Sequence, residues 1–112
     1  MIWLILWILV AHWIADFILQ SDRMALGKSK GIGWLSVHAV IYSIAMILMV
    51  GTCIPMWGWI ILALSHFIID GLTSRVCSYM WEKEMRHWFF VVIGLDQLLH
   101  YAVLLSIMEV PA

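Results

Sequence analysis

Charged side chains are scarce in this sequence. Among its 112 residues only 12% are charged, whereas 65% are hydrophobic. A soluble domain of ordinary composition has about a quarter charged and about half apolar residues, so water cannot be the only solvent around this chain. The formal net charge is only −1, and this balance does not favour a nucleic-acid partner. The composition predicts a membrane protein.

The features of a cleaved signal peptide are also lacking. No basic residue precedes the hydrophobic start and no small-residue cleavage site follows it, so we expect this segment to be retained as a span. Cysteine is rare as well. Cys53 and Cys77 lie near the ends of predicted spans and on opposite membrane faces. We therefore interpret them as small apolar fillers that do not pair.

Four segments are apolar enough to cross a bilayer, which requires about 20 residues of helix. The predicted spans are residues 2–20, 33–54, 56–72 and 88–108. The third is short by itself and can continue as a helix toward Tyr79. The sequence therefore predicts one all-α domain over residues 1–112, a polytopic bundle of four transmembrane helices.

The basic residues indicate an orientation. All six Lys and Arg fall in the connections 21–32 and 73–87, which lie on the same side when four spans are present. The positive-inside rule places that side in the cytoplasm. We expect both termini on the outside.

Seven polar residues interrupt the apolar spans. They are His12, Asp16, His38, His66, Asp70, Asp96 and His100. An ionisable residue at a helix centre costs on the order of 2.5–3.5 kcal/mol and often marks a functional site. Six of the seven form pairs four residues apart, and each such pair lies on one helix face. The pairs are His12 with Asp16, His66 with Asp70, and Asp96 with His100.

The depth of these residues and a short repeat predict that they converge. All seven fall in the cytoplasmic half of their spans, counted at about 1.5 Å per residue. Residues 12–16 resemble residues 66–70, and the second and fourth spans each carry a histidine. We therefore expect two parallel helix-pair repeats related by an axis along the membrane normal, with the site at their centre.

Imidazole and carboxylate donors without thiolates suit a divalent transition metal. Zinc ranks first, manganese, iron and nickel stay open, and the donors suffice for one or two ions. We interpret all seven as metal ligands and Asp16, Asp70 and Asp96 also as catalytic carboxylates, a spare one acting as general base. Polar residues at the cytoplasmic mouth are expected to form a substrate rim, although simple anchoring also explains the cations. The rim residues are Gln20, Lys28, Lys30, Arg75 and Gln97.

Three functions remain open on these residues. The leading hypothesis is a metal-dependent hydrolase acting on a lipid or phosphate-bearing substrate at the cytoplasmic leaflet. A divalent-cation or proton transporter needs polar residues toward the outer face, where only Ser43, Thr52 and Ser106 occur. A non-catalytic structural or partner-binding module is the third. Membrane lipids are the expected partners, and a homodimer is compatible with so short a chain.

The motifs also carry a family resemblance. In order they are His12-xxx-Asp16-Phe17-xx-Gln20, Lys28-Ser29-Lys30, His38, His66-xxx-Asp70 and Asp96-Gln97-xx-His100. They resemble a bacterial and phage membrane family known as domain of unknown function 3307, over nearly the whole chain. The resemblance implies a multi-pass protein of a bacterial inner membrane, encoded by the bacterium or a phage. A more distant similarity to small inner-membrane proteins labelled metal-dependent hydrolases implies hydrolase activity.

Overall fold

The computed structural model describes residues 1–108, and over that range the chain is helical without any strand. Its helices are α1 (Ile2–Trp13), α2 (Asp22–Gly27), α3 (Ile32–Val50), α4 (Met56–Glu82) and α5 (Arg86–Ile107). A π-helical turn, Ile14–Ile18, continues α1, and a 3-10 turn, Gly51–Cys53, follows α3. The all-α prediction is confirmed. Residues 109–112 of the predicted domain lie outside the described part.

Three helical stretches are long and apolar enough to cross a membrane. They are Ile32–Cys53, Met56–Glu82 and Arg86–Ile107. The first apolar stretch, Ile2–Ile18, is shorter. The span at residues 2–20, and with it the bundle of four spans, therefore stays a prediction. The helix of the third span continues past residue 72 to Glu82.

Local signals explain where the helices begin and end. The Ser21 side chain accepts a hydrogen bond from the Met24 N–H at 3.2 Å and caps the start of α2. Pro55 precedes α4, and its restricted φ suits a helix start. Between α4 and α5, Glu84 adopts a φ of 57°, a left-handed conformation that allows a tight reversal.

Packing separates an apolar half from a polar half. The helix α3 packs against α1, the π-helical turn, α2 and α4, and α4 packs along α5. The apolar core lies toward the uncharged connection and consists of residues such as Ile8, Ala11, Tyr42, Met46, Leu62 and Leu104. Many large apolar side chains face outward, among them Trp3 and Leu48, as a lipid-facing surface requires. The polar site occupies the half nearer the basic connections.

Candidate metal centre

The seven polar residues predicted from the spans are buried together. Each has at most 8% of its surface exposed, and they are the complete set of buried polar or charged residues within residues 1–108. Their side chains come from α1, the π-helical turn, α3, α4 and α5. Because the π-helical turn continues α1, these five elements form four stretches of the chain, and the four stretches meet at one point.

The first donor group is compact enough to hold a metal ion. It consists of Asp16, His38, His66 and Asp70, whose donor atoms all lie within 4.8 Å of one another. The Nε2 atom of His38 lies 2.8 Å from Asp16 Oδ1 and 2.9 Å from Asp70 Oδ2. The Nε2 atom of His66 lies 3.5 Å from each of those oxygens. Ligands of a tetrahedral zinc ion with bonds of about 2.0–2.2 Å are separated by about 3.3–3.6 Å. The separations of the carboxylate oxygens from His66 Nε2 match this range, whereas those from His38 Nε2 are hydrogen-bond distances.

The two imidazoles of this group face each other. His66 Nε2 lies 3.0 Å from His38 Nε2. Two ring nitrogens at that distance need a proton or a metal ion between them, because two lone pairs or two N–H groups would repel. Their Nδ1 atoms are buried without a hydrogen-bond partner in the described part of the chain. The protein thus directs Nε2 of both rings into the cluster.

A second donor group overlaps the first. It consists of Asp16, Asp70, Asp96 and His100, again with donor atoms within 4.8 Å of one another. The Nε2 atom of His100 lies 3.3 Å from Asp70 Oδ1 and 3.4 Å from Asp96 Oδ1. Asp96 is held in place by the Thr73 hydroxyl, which donates to Oδ1 at 2.5 Å, and by Gln97 Nε2, which donates to Oδ2 at 2.9 Å.

His12 lies at the edge of the cluster and belongs to neither donor group. Its Nε2–H donates to Gln97 Oε1 at 2.9 Å, so Nδ1 accepts from the Tyr42 hydroxyl at 2.6 Å. His12 Nε2 is also 3.5 Å from Asp16 Oδ2. Both ring nitrogens therefore have protein partners, and His12 acts here as a support for Asp16 and Gln97.

The position of Asp16 depends on a backbone feature that periodicity does not reveal. Asp16 lies in the π-helical turn, where Leu19 N–H bonds to the Ile14 carbonyl at 3.0 Å. A wider turn rotates the side chains relative to an α-helix, and such turns are frequent at functional sites. Asp16 Oδ1 is thereby directed toward α3.

A cavity of about 450 Å³ adjoins the cluster on the side of the basic connections. Its wall includes Asp16, Asp70 and Asp96 together with four of the five predicted rim residues, Gln20, Lys28, Lys30 and Gln97. The Lys28 ammonium lies 3.0 Å from Asp70 Oδ2. Apolar side chains, including Phe17, Leu26, Phe89 and Ile93, complete the wall.

Arg75 lies apart from this cavity. Its guanidinium donates to the Gly71 carbonyl at 2.6 Å and the residue is exposed. Two residues of the site, by contrast, are absent from the sequence-based set: Tyr42 and Thr73. In the sequence, Tyr42 is marked only by its place four residues after His38. A tyrosine at helical spacing in an apolar span usually indicates packing.

A comparison with protein families agrees with the family resemblance. A family model described as "Protein of unknown function (DUF3307)" matches residues 4–111, nearly the whole chain. Neither the curated proteins nor the solved structures contain a significant match.

Proposed function

We propose that this chain, which belongs to the DUF3307 family of proteins of unknown function, is a membrane-embedded metal-dependent hydrolase. A divalent transition metal is held by the buried His and Asp side chains. The substrate is a lipid or another phosphate-bearing molecule that enters from the cytoplasmic leaflet.

The metal is supported above all by the first donor group. Two imidazole nitrogens and two carboxylate oxygens converge from the π-helical turn, α3 and α4 with separations of 2.8–3.5 Å. A proton or a metal ion accounts for the 3.0 Å separation of the two Nε2 atoms, and a metal ion would bind the two neighbouring carboxylate oxygens as well. Two nitrogen and two oxygen donors suit zinc first, and also manganese, iron or nickel.

The charge of the site also favours a bound cation. When the histidines are neutral, the form in which imidazole binds a metal, the carboxylates of Asp16, Asp70 and Asp96 and the ammonium group of Lys28 leave two negative charges. Buried charge without compensation is unfavourable in an apolar surrounding. One divalent ion neutralises this excess.

The cavity supports a substrate with a polar head and an apolar tail. One part of its wall carries Lys28, Lys30 and the aspartates, and another part carries Phe17, Phe89 and Ile93. Lysine side chains attract phosphate, and apolar walls accept acyl chains. A volume of about 450 Å³ is within the usual range for small-molecule sites, about 300–1,000 Å³.

The residues around the cavity have distinct proposed roles. A divalent metal at this position supplies Lewis acidity toward a phosphoryl or carbonyl oxygen. Lys28 and Lys30 bind the phosphate group, and Gln20 and Gln97 orient it. Each of the three aspartates could take a proton from a water molecule, and Asp96, at 8% exposure, is the most accessible.

We also propose a four-span, two-repeat topology with the basic connections in the cytoplasm. Within the first repeat His38 Nε2 lies 2.8 Å from Asp16 Oδ1, and at the equivalent place of the second His100 Nε2 lies 3.3 Å from Asp70 Oδ1. These paired contacts support an internal twofold relation. Insertion in a bacterial inner membrane follows the family resemblance.

A transporter is the less favoured alternative. Beyond the cluster the core continues with apolar side chains from all the long helices, including Ile8, Met46, Leu62 and Leu104. Ions crossing one monomer need polar groups or water along that half. The apolar core therefore favours a site that opens to one side.

The metal is tested by elemental analysis of the full chain purified in detergent. We expect bound metal in the wild type and a clear loss in His66→Ala. His87→Ala is the matched control, because His87 is exposed and lies outside the donor groups. Metal near zero in the wild type, unchanged by His66→Ala, would overturn the metal centre.

Hydrolysis is tested by phosphate release from mixed micelles that contain phosphatidic acid. We expect release by the metal-loaded wild type, a fall of about 100-fold or more in Asp96→Asn, and little change in Asp22→Asn, whose carboxylate is exposed. A metal-loaded protein that releases no phosphate contradicts the proposed substrate. Cation flux through liposomes that disappears in Asp16→Asn supports the transporter instead.

A further inference from the structure

Two aspartates are common to both donor groups. The first group adds His38 and His66 to Asp16 and Asp70, whereas the second adds Asp96 and His100 to the same pair. A single ion of the tetrahedral geometry that zinc prefers would leave two of these six side chains unused. The overlap therefore points to two neighbouring positions with shared carboxylates.

Asp70 divides its two oxygens between these positions. Its Oδ2 atom lies 2.9 Å from His38 Nε2 and 3.5 Å from His66 Nε2, whereas its Oδ1 atom lies 3.3 Å from His100 Nε2. A carboxylate that offers one oxygen to each of two ligand sets is the bridging arrangement of dinuclear centres in helical bundles. We propose that the protein binds two divalent metal ions bridged by Asp70 and Asp16. This inference rests on the proposed metal centre.

Each ion has its own terminal ligands in this assignment. His38 and His66 hold the first ion, and Asp96 and His100 hold the second. The internal repeat explains the pattern, since each half contributes one bridging aspartate from its first helix and one histidine from its second. Two ligands break the symmetry. The place equivalent to Asp96, four residues before His38, is occupied by Trp34, and His12, the equivalent of His66, belongs to neither donor group.

The surroundings hold both ligand sets rigidly. Tyr42 stacks on His66 with ring centroids 3.8 Å apart and planes 6° apart. On the other side Thr73 and Gln97 orient both oxygens of Asp96. Groups that orient metal ligands in this way commonly change metal affinity by about 10–100-fold when they are removed.

The second ion makes the net charge of the site positive, and this determines which substrate group the site attracts. Two divalent ions and Lys28 exceed the charge of the three carboxylates by two positive charges. A phosphoryl group carries the complementary negative charge, and two-metal sites are common in enzymes that cleave phosphate esters. The dinuclear centre thus narrows the proposed substrate to a phosphate ester and makes Asp96 a ligand instead of a general base.

The test is the manganese stoichiometry and the magnetic coupling of the full chain in detergent. After loading with Mn²⁺ and removal of excess, we expect two ions per chain by elemental analysis and an exchange-coupled signal in electron paramagnetic resonance. His66→Ala and His100→Ala should each retain one ion and lose the coupled signal. Asp70→Asn should lose the coupling as well.

Two exposed residues provide matched controls. His87→Ala and Asp22→Asn change the same residue types outside the donor groups, and both should keep two coupled ions. The wild-type measurement decides without any variant. One ion per chain with an isolated Mn²⁺ signal overturns the dinuclear centre and leaves the proposed metal centre standing, whereas no bound metal overturns both.

Discussion

Tyr42 links two histidines of the site through two different surfaces of one side chain. Its ring stacks on His66, and its hydroxyl donates to His12 Nδ1 at 2.6 Å. Because Gln97 Oε1 can only accept, His12 Nε2–H donates to it, and this tautomer leaves Nδ1 to accept from the Tyr42 hydroxyl. Tyr42 thereby helps to orient residues on α1, α4 and α5.

We expect Tyr42→Phe to lower metal affinity by at most about 10-fold, because the lost hydroxyl acts on the ligand Asp16 only through His12, while the ring on His66 remains. The measurement is a competition titration with a chromogenic chelator. Tyr79→Phe is the control, since Tyr79 is 57% exposed. Equal affinities in the two variants would contradict a supporting role for Tyr42.

At the scale of elements, the short helix α2 determines where Lys28 lies. This helix packs against α3, and the close approach depends on Gly27. A Cβ atom at Gly27 would lie 2.4 Å from Trp34 Cδ1 and 3.1 Å from Trp34 Cβ. Contact with the base of the indole side chain cannot be relieved by a small rotation, so α2 would have to move.

We therefore expect Gly27→Ala to destabilise the protein by about 1–3 kcal/mol, the usual cost of overpacking. Thermal unfolding in detergent, followed by tryptophan fluorescence, measures the effect. Gly94→Ala is the matched control, because a Cβ atom there meets nothing within 4 Å, and alanine favours a helix interior. The prediction is wrong if the two variants unfold at the same temperature.

At the scale of the whole molecule, the basic connections and the candidate metal centre lie at the same end of the bundle. The cavity wall includes Lys28 and Lys30 from the first connection and Glu82 from the end of α4. The opposite end of the bundle is closed by apolar residues such as Val50, Ile54 and Ile107. The proposed substrate is therefore expected to reach the site from the side of the basic connections.

We expect a membrane-impermeant maleimide to label Thr52→Cys in intact spheroplasts, and Lys83→Cys only after permeabilisation. Both variants are made in a chain carrying Cys53→Ala and Cys77→Ala, and both positions are exposed. The physical reason is that basic connections are retained in the cytoplasm. The opposite labelling pattern would contradict the proposed orientation.

Much of this protein follows from local properties of the sequence. The apolar stretches predict the helices, because length and hydropathy suffice for that inference. The seven polar residues could be singled out since burying ionisable groups is costly. Spacing four residues apart placed three His–Asp pairs on helix faces, and the structure buries all of these residues together.

The tertiary structure alone decided which donors meet. Spacing within a helix does not encode distances between helices, which depend on side-chain packing across segments far apart in the chain. The sequence therefore could not reveal that His12 bonds to Tyr42 and Gln97, or that Arg75 lies away from the cavity. It also could not reveal the π-helical turn at Asp16. Because charged residues are scarce, the few ionisable residues within the apolar spans marked the candidate site in the sequence. The packing of the helices then arranged six of them as two overlapping donor groups.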